Sequence, residues 1–156
     1  MLEDQTKEAA MQTIHDLARD DCARLLVAGI AGRVAISTPT GPHIVPVNYS
    51  VDGESVLVRT TAYSLLGTYG RDALGCFEVD RFDYEQQRGW SVSVRGRAQF
   101  VDDAQELAEI ARHLPPRPWA EGQRTLVVRI PWAEVTGRQL GGGWDPWEHL
   151  PVRRPA

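Results

Sequence analysis

Hydroxyl side chains collect where a valine-rich segment meets a short apolar one, in the stretch RTTAYSLLGTYGRD at 59–72. Thr60 and Thr61 end the predicted strand SVLVRT, and Ser64 precedes a predicted short helix. Hydroxyls and exposed amides at the start of a helix bind anions such as phosphate. A phosphate site is expected to carry a lysine or arginine next, but Ser64 is followed by Leu65 and Leu66. The stretch therefore has the hydroxyls of an anion site without the usual charge.

Familiar catalytic and metal motifs are not found in the sequence. It has no phosphate-binding loop with a lysine, no dinucleotide glycine fingerprint and no serine elbow of the esterase kind. The histidines show no metal-ligand spacing and no nucleophile–base pairing; they are His15, His43, His113 and His149. Cys22 and Cys76 lie in apolar segments and are predicted to be inert core thiols. We therefore predict no metal site, and the catalytic residues remain unidentified.

Length and charge restrict the classes of partner. The chain has 156 residues, which predicts one domain, and its net charge of −4 argues against non-specific nucleic-acid binding. It has no apolar run long enough to cross a membrane, and its N-terminus is too polar for a signal peptide. We therefore expect a cytoplasmic protein that binds neither nucleic acid nor membrane.

Hydrophobic periodicity predicts the elements that must position these residues. A helix is predicted at 4–18, followed by a second helix capped by Asp20 or Asp21. Short strands begin near residue 32, and Asp52-Gly53 is a hairpin signal. These patterns predict an antiparallel sheet that must close or be covered.

The second half of the chain has the clearest alternation, at 90–100, where apolar or small residues occupy one face of a long predicted strand. A helix capped by Asp102 and Gln105 is predicted next, and then one or two last strands. We predict a mostly β fold, a small barrel with flanking helices.

Four stretches, in order, resemble one family: GRVAIS, GPHIVPVNYSVDGESVLVRT, FEVDRFD and GWSVSVRGRA. They are similar to the pyridoxamine 5′-phosphate oxidase-like flavin-binding split barrels, in the small actinobacterial branch related to nitroimidazole-resistance proteins. The resemblance covers roughly 16–140. It implies a six-stranded antiparallel split β-barrel that forms a homodimer, with the flavin at the interface. The predicted domain is 1–140, including N-terminal helices, and 141–156 is a tail rich in glycine and tryptophan.

The resemblance also implies a set of cofactor contacts. They are His43, Val45, Pro46, Val47 and Asn48 on one strand, Arg59, Thr60, Thr61 and Ser64 at the next strand end, Arg71 beyond it, and Trp90 and Ser91 from the neighbouring subunit. The family pattern of glycine, serine and lysine is replaced here by Tyr63, Ser64 and Leu65. The charge-assisted phosphate contact is thus missing at its usual place. Arg59 and Arg71 are the candidates to replace it.

Three functions follow from this resemblance. The first is an oxidoreductase that uses FMN, or a deazaflavin, on an unknown small-molecule substrate. The second is a non-catalytic cofactor-binding split barrel, or a haem-binding protein, that has lost its FMN phosphate site. The third is a dimer whose cofactor site has decayed.

Overall fold

The computed structural model describes residues 13–141 and 145–149. Its strands are β1 (Ile14–Asp16), β2 (Ala31–Thr38), β3 (Gly41–Asp52), β4 (Ser55–Thr60), β5 (Leu74–Asp83), β6 (Arg88–Arg97), β7 (Gln99–Phe100), β8 (Leu126–Pro131) and β9 (Glu134–Leu140). Its helices are α1 (Arg19–Ala28), α2 (Leu65–Tyr69), α3 (Ala104–His113) and a 3₁₀ turn (Pro146–His149). Among these described helices, none has the length and apolar character that a membrane span requires.

The strands form one unclosed antiparallel sheet in the order β1-β9-β6-β5-β2-β3-β4-β8-β7. The sheet curls so far that β6 packs against β8, and a Cβ added to Gly96 would lie 2.0 Å from the carbonyl oxygen of Pro131. The predicted mostly antiparallel β fold is confirmed. The predicted number of six strands is wrong, because the described chain has nine.

The extra strands arise mainly at the sheet edges. β1 is a three-residue strand on β9, and β7 is a two-residue strand on β8. The long strand predicted at 90–100 divides at Ala98, whose N–H donates to the carbonyl oxygen of Ala73 instead of continuing one ladder. The residues before Ala98 pair with β5, and those after it pair with β8.

The N-terminal prediction is partly wrong. Residues 4–12 of the predicted helix at 4–18 lie outside the described residues, and Ile14–Asp16 form a strand. α1 begins at Arg19, and its N-cap is Ala18, with no side-chain cap. Asp20 and Asp21 therefore lie inside the first helical turn, where their negative charges interact favourably with the positive end of the helix dipole.

The alternation of β6 is confirmed. Trp90, Val92, Val94 and Gly96 are buried, while Ser91, Ser93, Arg95 and Arg97 are half-buried or exposed. The predicted cap of the following helix is wrong by one residue. The N-cap of α3 is Asp103, not Asp102, because the Asp103 carboxylate accepts a hydrogen bond from the Glu106 N–H at 2.8 Å.

The buried apolar residues form two clusters on opposite sides of β4 and β8. The larger lies inside the curled sheet and includes Val58, Phe77 and Val128. The smaller lies under α3 and includes Leu57 and Val127. Side chains of a strand alternate between its faces, so β4 and β8 contribute to both clusters. The direction of each side chain of β4 is thereby fixed.

The C-terminal tail is described in part. The structure does not describe residues 142–144, which include Trp144, or residues 150–156. Trp147 packs against the larger core cluster, and the guanidinium carbon of Arg24 in α1 lies 3.9 Å from the centroid of its ring. This tryptophan therefore packs on the same chain.

Candidate functional site

The hydroxyls of the predicted anion site meet at the junction of β4 and α2. The Thr60 and Ser64 hydroxyl oxygens lie 2.6 Å apart. The Ser64 hydroxyl donates to the Thr61 carbonyl oxygen at 2.9 Å and accepts from the Gly67 N–H at 2.9 Å. Because a serine hydroxyl has one proton, the Thr60 hydroxyl must be the donor to Ser64. Ser64 is therefore confirmed as the start of a short helix, and its hydroxyl is fully engaged as the N-cap.

The side chains beside this cap are apolar and exposed. Leu65 is the first residue of α2 and is 38% exposed, and Tyr63 is 96% exposed. Neither adjacent position offers a cation, so the predicted lack of a phosphate-binding charge is a property of the folded surface. An anion bound here would meet backbone amides and aromatic surface instead of a charge.

The structure does not bring Arg59 or Arg71 to this cap. Arg59 donates from Nε to the Arg124 carbonyl oxygen at 3.1 Å, on the α3 side of β4. Arg71 donates to the Asp102 carboxylate at 3.2 Å, and its guanidinium carbon lies 4.3 Å from the centroid of the Phe100 ring. In the described chain, neither guanidinium contacts the hydroxyls of the cap. The replacement of the missing lysine by either arginine stays a prediction without support from these contacts.

The first half of β3 has an open edge. β4 pairs only with Tyr49–Asp52, so 41–48 have a ladder partner on the β2 side alone among the described strands. The Tyr49 N–H donates to the Ile30 carbonyl oxygen, so the backbone groups of Tyr49 point toward β2. Backbone groups alternate in direction along a strand, so the even-numbered residues of β3 point the other way. The N–H and C=O groups of Ile44 and Asn48 therefore face the open edge. Pro46 also belongs to this series, and a proline is tolerated there because no ladder N–H is needed.

Asn48 anchors the proline-rich segment at 114–125 to this edge. Its Oδ1 accepts from the Trp119 N–H at 2.9 Å, and the Ser50 hydroxyl nearby donates to the Leu114 carbonyl oxygen at 2.6 Å. The Asn48 amide nitrogen has no partner among the described residues, so it can still donate to a ligand. Trp119, which no motif in the sequence indicates as a site residue, is 76% exposed beside it. Its partner is distant in the sequence, and no local pattern indicates the contact.

The other predicted contacts of β3 are less polar. Val45 and Val47 are half-buried, and Ile44 is 70% exposed. His43 contacts the Thr40 hydroxyl through Nε2 at 3.0 Å, at the turn between β2 and β3. This contact gives His43 a local structural role at the start of the open edge.

Trp90 and Ser91 face opposite sides of β6. Trp90 is 2% exposed in the core, and its indole N–H has no hydrogen-bond partner in the part of the chain that the structure describes. Ser91 lines an open depression of about 530 Å³ on the β6–β9 face, together with Ser93 and Thr136. Of the two, only Ser91 offers a surface to a second subunit.

Arg33 on β2 is a charged side chain near the open edge, and it is paired. Arg33 lies opposite Pro46 in the β2–β3 register and contacts the carboxylates of Asp80 and Glu78. The hydrogen bond that Arg33 donates to the Asp80 carboxylate raises the pKa of Arg33, although burial acts in the other direction. Arg33 thus stays cationic with its charge balanced, and it is not a free anion-binding group.

Comparisons with known proteins match most of the chain. The family model described as pyridoxamine 5′-phosphate oxidase matches residues 18–139. The uncharacterized protein Rv0080 of Mycobacterium tuberculosis is 33% identical over 130 residues, which cover 80% of this chain and 84% of that protein.

Solved structures have the same fold. The FAD-binding protein from Mycobacterium smegmatis superposes with a TM-score of 0.67 at 32% identity, over 80% of this chain and 96% of that chain. A conserved protein of unknown function from Corynebacterium diphtheriae superposes with a TM-score of 0.67 at 33% identity, with the same coverage.

Proposed function

Because the chain belongs to the pyridoxamine 5′-phosphate oxidase family, we propose that it binds a flavin and works as an oxidoreductase on a small molecule. The observation that carries this proposal is the open edge of β3 in a chain that resembles a known FAD-binding protein along most of its length. A bound flavin supplies the hydride and electron transfer, and the protein supplies position, electrostatics and a dry pocket.

The open edge fits the polar rim and the apolar faces of a flavin ring. The backbone groups of Ile44 and Asn48 offer donors and acceptors in one line, and the Asn48 amide nitrogen adds a donor. Val45 and Val47 offer half-buried apolar contact on the same strand. In this proposal β3 holds the ring, and the contact of Asn48 with Trp119 keeps the neighbouring segment in place.

The phosphate end fits FAD better than FMN. The terminal phosphate of FMN carries nearly two negative charges at neutral pH, since its second pKa is about 6. Neither Tyr63 nor Leu65 beside the Ser64 cap carries a positive charge, and the Ser64 hydroxyl proton is already donated to the Thr61 carbonyl oxygen. The pyrophosphate of FAD carries one charge per phosphate, and its adenine can stack on an exposed ring such as Tyr63. We therefore propose FAD as the cofactor, with FMN and deazaflavin as the competing cofactors.

A second copy of the chain completes the site in this proposal. Ile44 and Trp119 are large, exposed and close to the open edge, which is costly for an isolated chain. The polar depression at Ser91 is the surface that the partner copy presents toward the flavin. Light scattering coupled to size-exclusion chromatography tests this part, and a protein that stays monomeric at about 100 μM with flavin bound contradicts it.

The absorbance spectrum of the purified protein tests the cofactor class. We expect flavin bands, and mass spectrometry of the released cofactor should identify FAD. A haem spectrum, a deazaflavin or a colourless protein that takes up no flavin contradicts the proposal. As matched variants, Thr60→Val should weaken flavin binding because it removes the hydrogen bond that holds the Ser64 cap in place, while Thr68→Val removes an exposed hydroxyl of α2 and should not.

A further inference from the structure

A cavity of about 180 Å³ lies on the side of the sheet opposite the larger core, between α3 and the strands β4 and β8. Its walls are mostly apolar and include Leu107 and Ile110 of α3, Pro116 and Val127. One charged side chain, Arg59, lines it among the described residues. The cavity is separate from the open edge of β3, and the proposed flavin site does not use it.

Two arginines lie on this face of the sheet with different surroundings. Arg59 follows Leu57 by two positions on β4, and Arg129 follows Val127 by two positions on β8, so all four side chains share the α3 side. The Arg129 guanidinium forms two ion pairs, one with the Asp52 carboxylate at 2.7 Å and one with the Glu106 carboxylate. Burial lowers the pKa of Arg129, but these hydrogen bonds outweigh it and raise the pKa.

Arg59 has no carboxylate within ion-pair distance in residues 13–141 and 145–149. Its Nε donates to the Arg124 carbonyl oxygen, and the two terminal nitrogens of the guanidinium have no protein partner there. Arg124 adds a second positive charge to the neighbourhood, since among the residues that the structure describes its own guanidinium donates to carbonyl oxygens, those of Ala120 and Glu121, and to no carboxylate. A half-buried cation at the wall of an apolar cavity is thus left without the counter-charge that Arg129 has.

We propose that this cavity binds a small monocarboxylate. Its carboxylate would accept two parallel hydrogen bonds from the terminal nitrogens of Arg59, the geometry that guanidinium favours. Its apolar part would lie between α3 and the proline-rich segment, and Thr125, another lining residue, would offer its hydroxyl as a further donor. A phosphate monoester is disfavoured, because a dianion costs more to remove from water than the one guanidinium that lines the cavity returns.

The volume limits the size of the ligand. A volume of about 180 Å³ lies below the roughly 300–1,000 Å³ of typical drug-sized sites and suits one aromatic ring or a short branched chain. Benzoate is therefore the probe, and benzamide, which has nearly the same shape without the charge, is its matched control.

Isothermal titration of the full-length protein with benzoate tests the proposal. We expect saturable binding at sub-millimolar concentration, and at least about tenfold weaker binding of benzamide, since a tenfold change needs only ~1.4 kcal/mol. Arg59→Met keeps the apolar stem and should weaken benzoate binding at least about tenfold. Arg97→Met is the control, because Arg97 is exposed on β6 and donates to a carbonyl oxygen outside the cavity.

A second variant keeps the test decisive if Arg59→Met does not fold. Ala111→Phe on α3 retains Arg59 and fills the cavity from its exposed helical position, so benzoate binding should be lost while the thermal transition is kept. The proposal is overturned if benzoate and benzamide bind alike, if benzoate fails to saturate below about 10 mM, or if Arg97→Met weakens binding as much as Arg59→Met. None of these results depends on flavin binding.

Discussion

Replacing Leu65 by lysine restores the charge that the phosphate end of the flavin site lacks. Leu65 is the first residue of α2 and is 38% exposed, so a lysine stem can lie along the surface with its ammonium in water. The charge would lie beside the cap formed by Ser64. We expect Leu65→Lys to tighten FMN binding more than FAD binding.

The magnitude follows from the number of charges on each phosphate. An ammonium about 3 Å from a phosphate oxygen gains ~1.4 kcal/mol per negative charge at the dielectric constant of water. This amounts to roughly 2.8 kcal/mol for the dianion of FMN and roughly half of that for one phosphate of FAD. A cation at a helix N-terminus costs about 0.3–1 kcal/mol, and salt screens part of the gain. The net expectation is about 5–30-fold for FMN and less than about fivefold for FAD.

Fluorescence titration of the cofactor-free variant with FMN and FAD at low and high salt measures both effects. Tyr69→Lys is the positional control, since it places the same charge on the same exposed helix one turn farther on. Leu65→Met is the control for shape. Equal tightening for FMN and FAD, no change for FMN, or an equal effect of Tyr69→Lys would refute the reasoning.

The remaining predictions concern stability and thiol chemistry. Gly96→Ala should lower the free energy of unfolding, measured in urea, by several kcal/mol, because its Cβ would lie 2.0 Å from a β8 carbonyl oxygen. Gly75→Ala on the paired strand should be tolerated, because the nearest atom would be 3.7 Å away. Similar losses for the two variants would contradict the packing of β6 on β8. Tyr49→Phe should cost about 1–3 kcal/mol in the same assay, since it removes a buried 2.7 Å hydrogen bond to a carbonyl oxygen of α1, and an unchanged midpoint would contradict that contact. Burial raises the pKa of the Cys22 thiol above its value in the unfolded chain, so the contribution of this thiol to stability is present below pH 9 and is lost as the pH rises. Cys22→Ala should therefore reduce the fall in the free energy of unfolding between pH 8 and 10, measured by urea titration. An unchanged fall would contradict this assignment. Cys76 is also free and is half-buried, and this partial burial is the main cause that raises the pKa of its thiol; alkylation of both thiols at pH 7.5 should be slow until the protein is unfolded, and rapid alkylation of the native protein would contradict the raised pKa of both thiols.

The sequence is sufficient for most of the sheet because the relevant information is local. The alternation from Trp90 to Gly96 and the turn at Asp52-Gly53 each depend on neighbouring residues, and both predictions are confirmed. Local patterns predict a helix at Ile14–Asp16 and are wrong there, because that strand depends on pairing with β9, far along the chain. The error between Asp102 and Asp103 has a similar origin, since two adjacent aspartates can both cap a helix and only the backbone geometry chooses between them.

The candidate site also combines features that the local sequence predicts with tertiary contacts that it does not predict. The sequence identifies Thr60 and Ser64 at a strand-to-helix junction, and the structure joins their hydroxyls. Alternation alone separates Arg59 from Thr60, but it does not show that α3 covers the Arg59 face. That cover depends on packing between residues about fifty positions apart. The contact of Asn48 with Trp119 is likewise a tertiary contact with no periodic pattern to predict it.

Titration of the cofactor-free protein with FAD and with FMN tests the central claim most directly. We expect FAD to bind at micromolar concentration or below and to bind more tightly than FMN, because no cation stands next to the Ser64 cap at Tyr63 or Leu65. Saturation by neither flavin at about 100 μM, which corresponds to a binding free energy weaker than roughly −5.5 kcal/mol, would contradict flavin binding. Tighter binding of FMN than of FAD would contradict the assignment of the phosphate end.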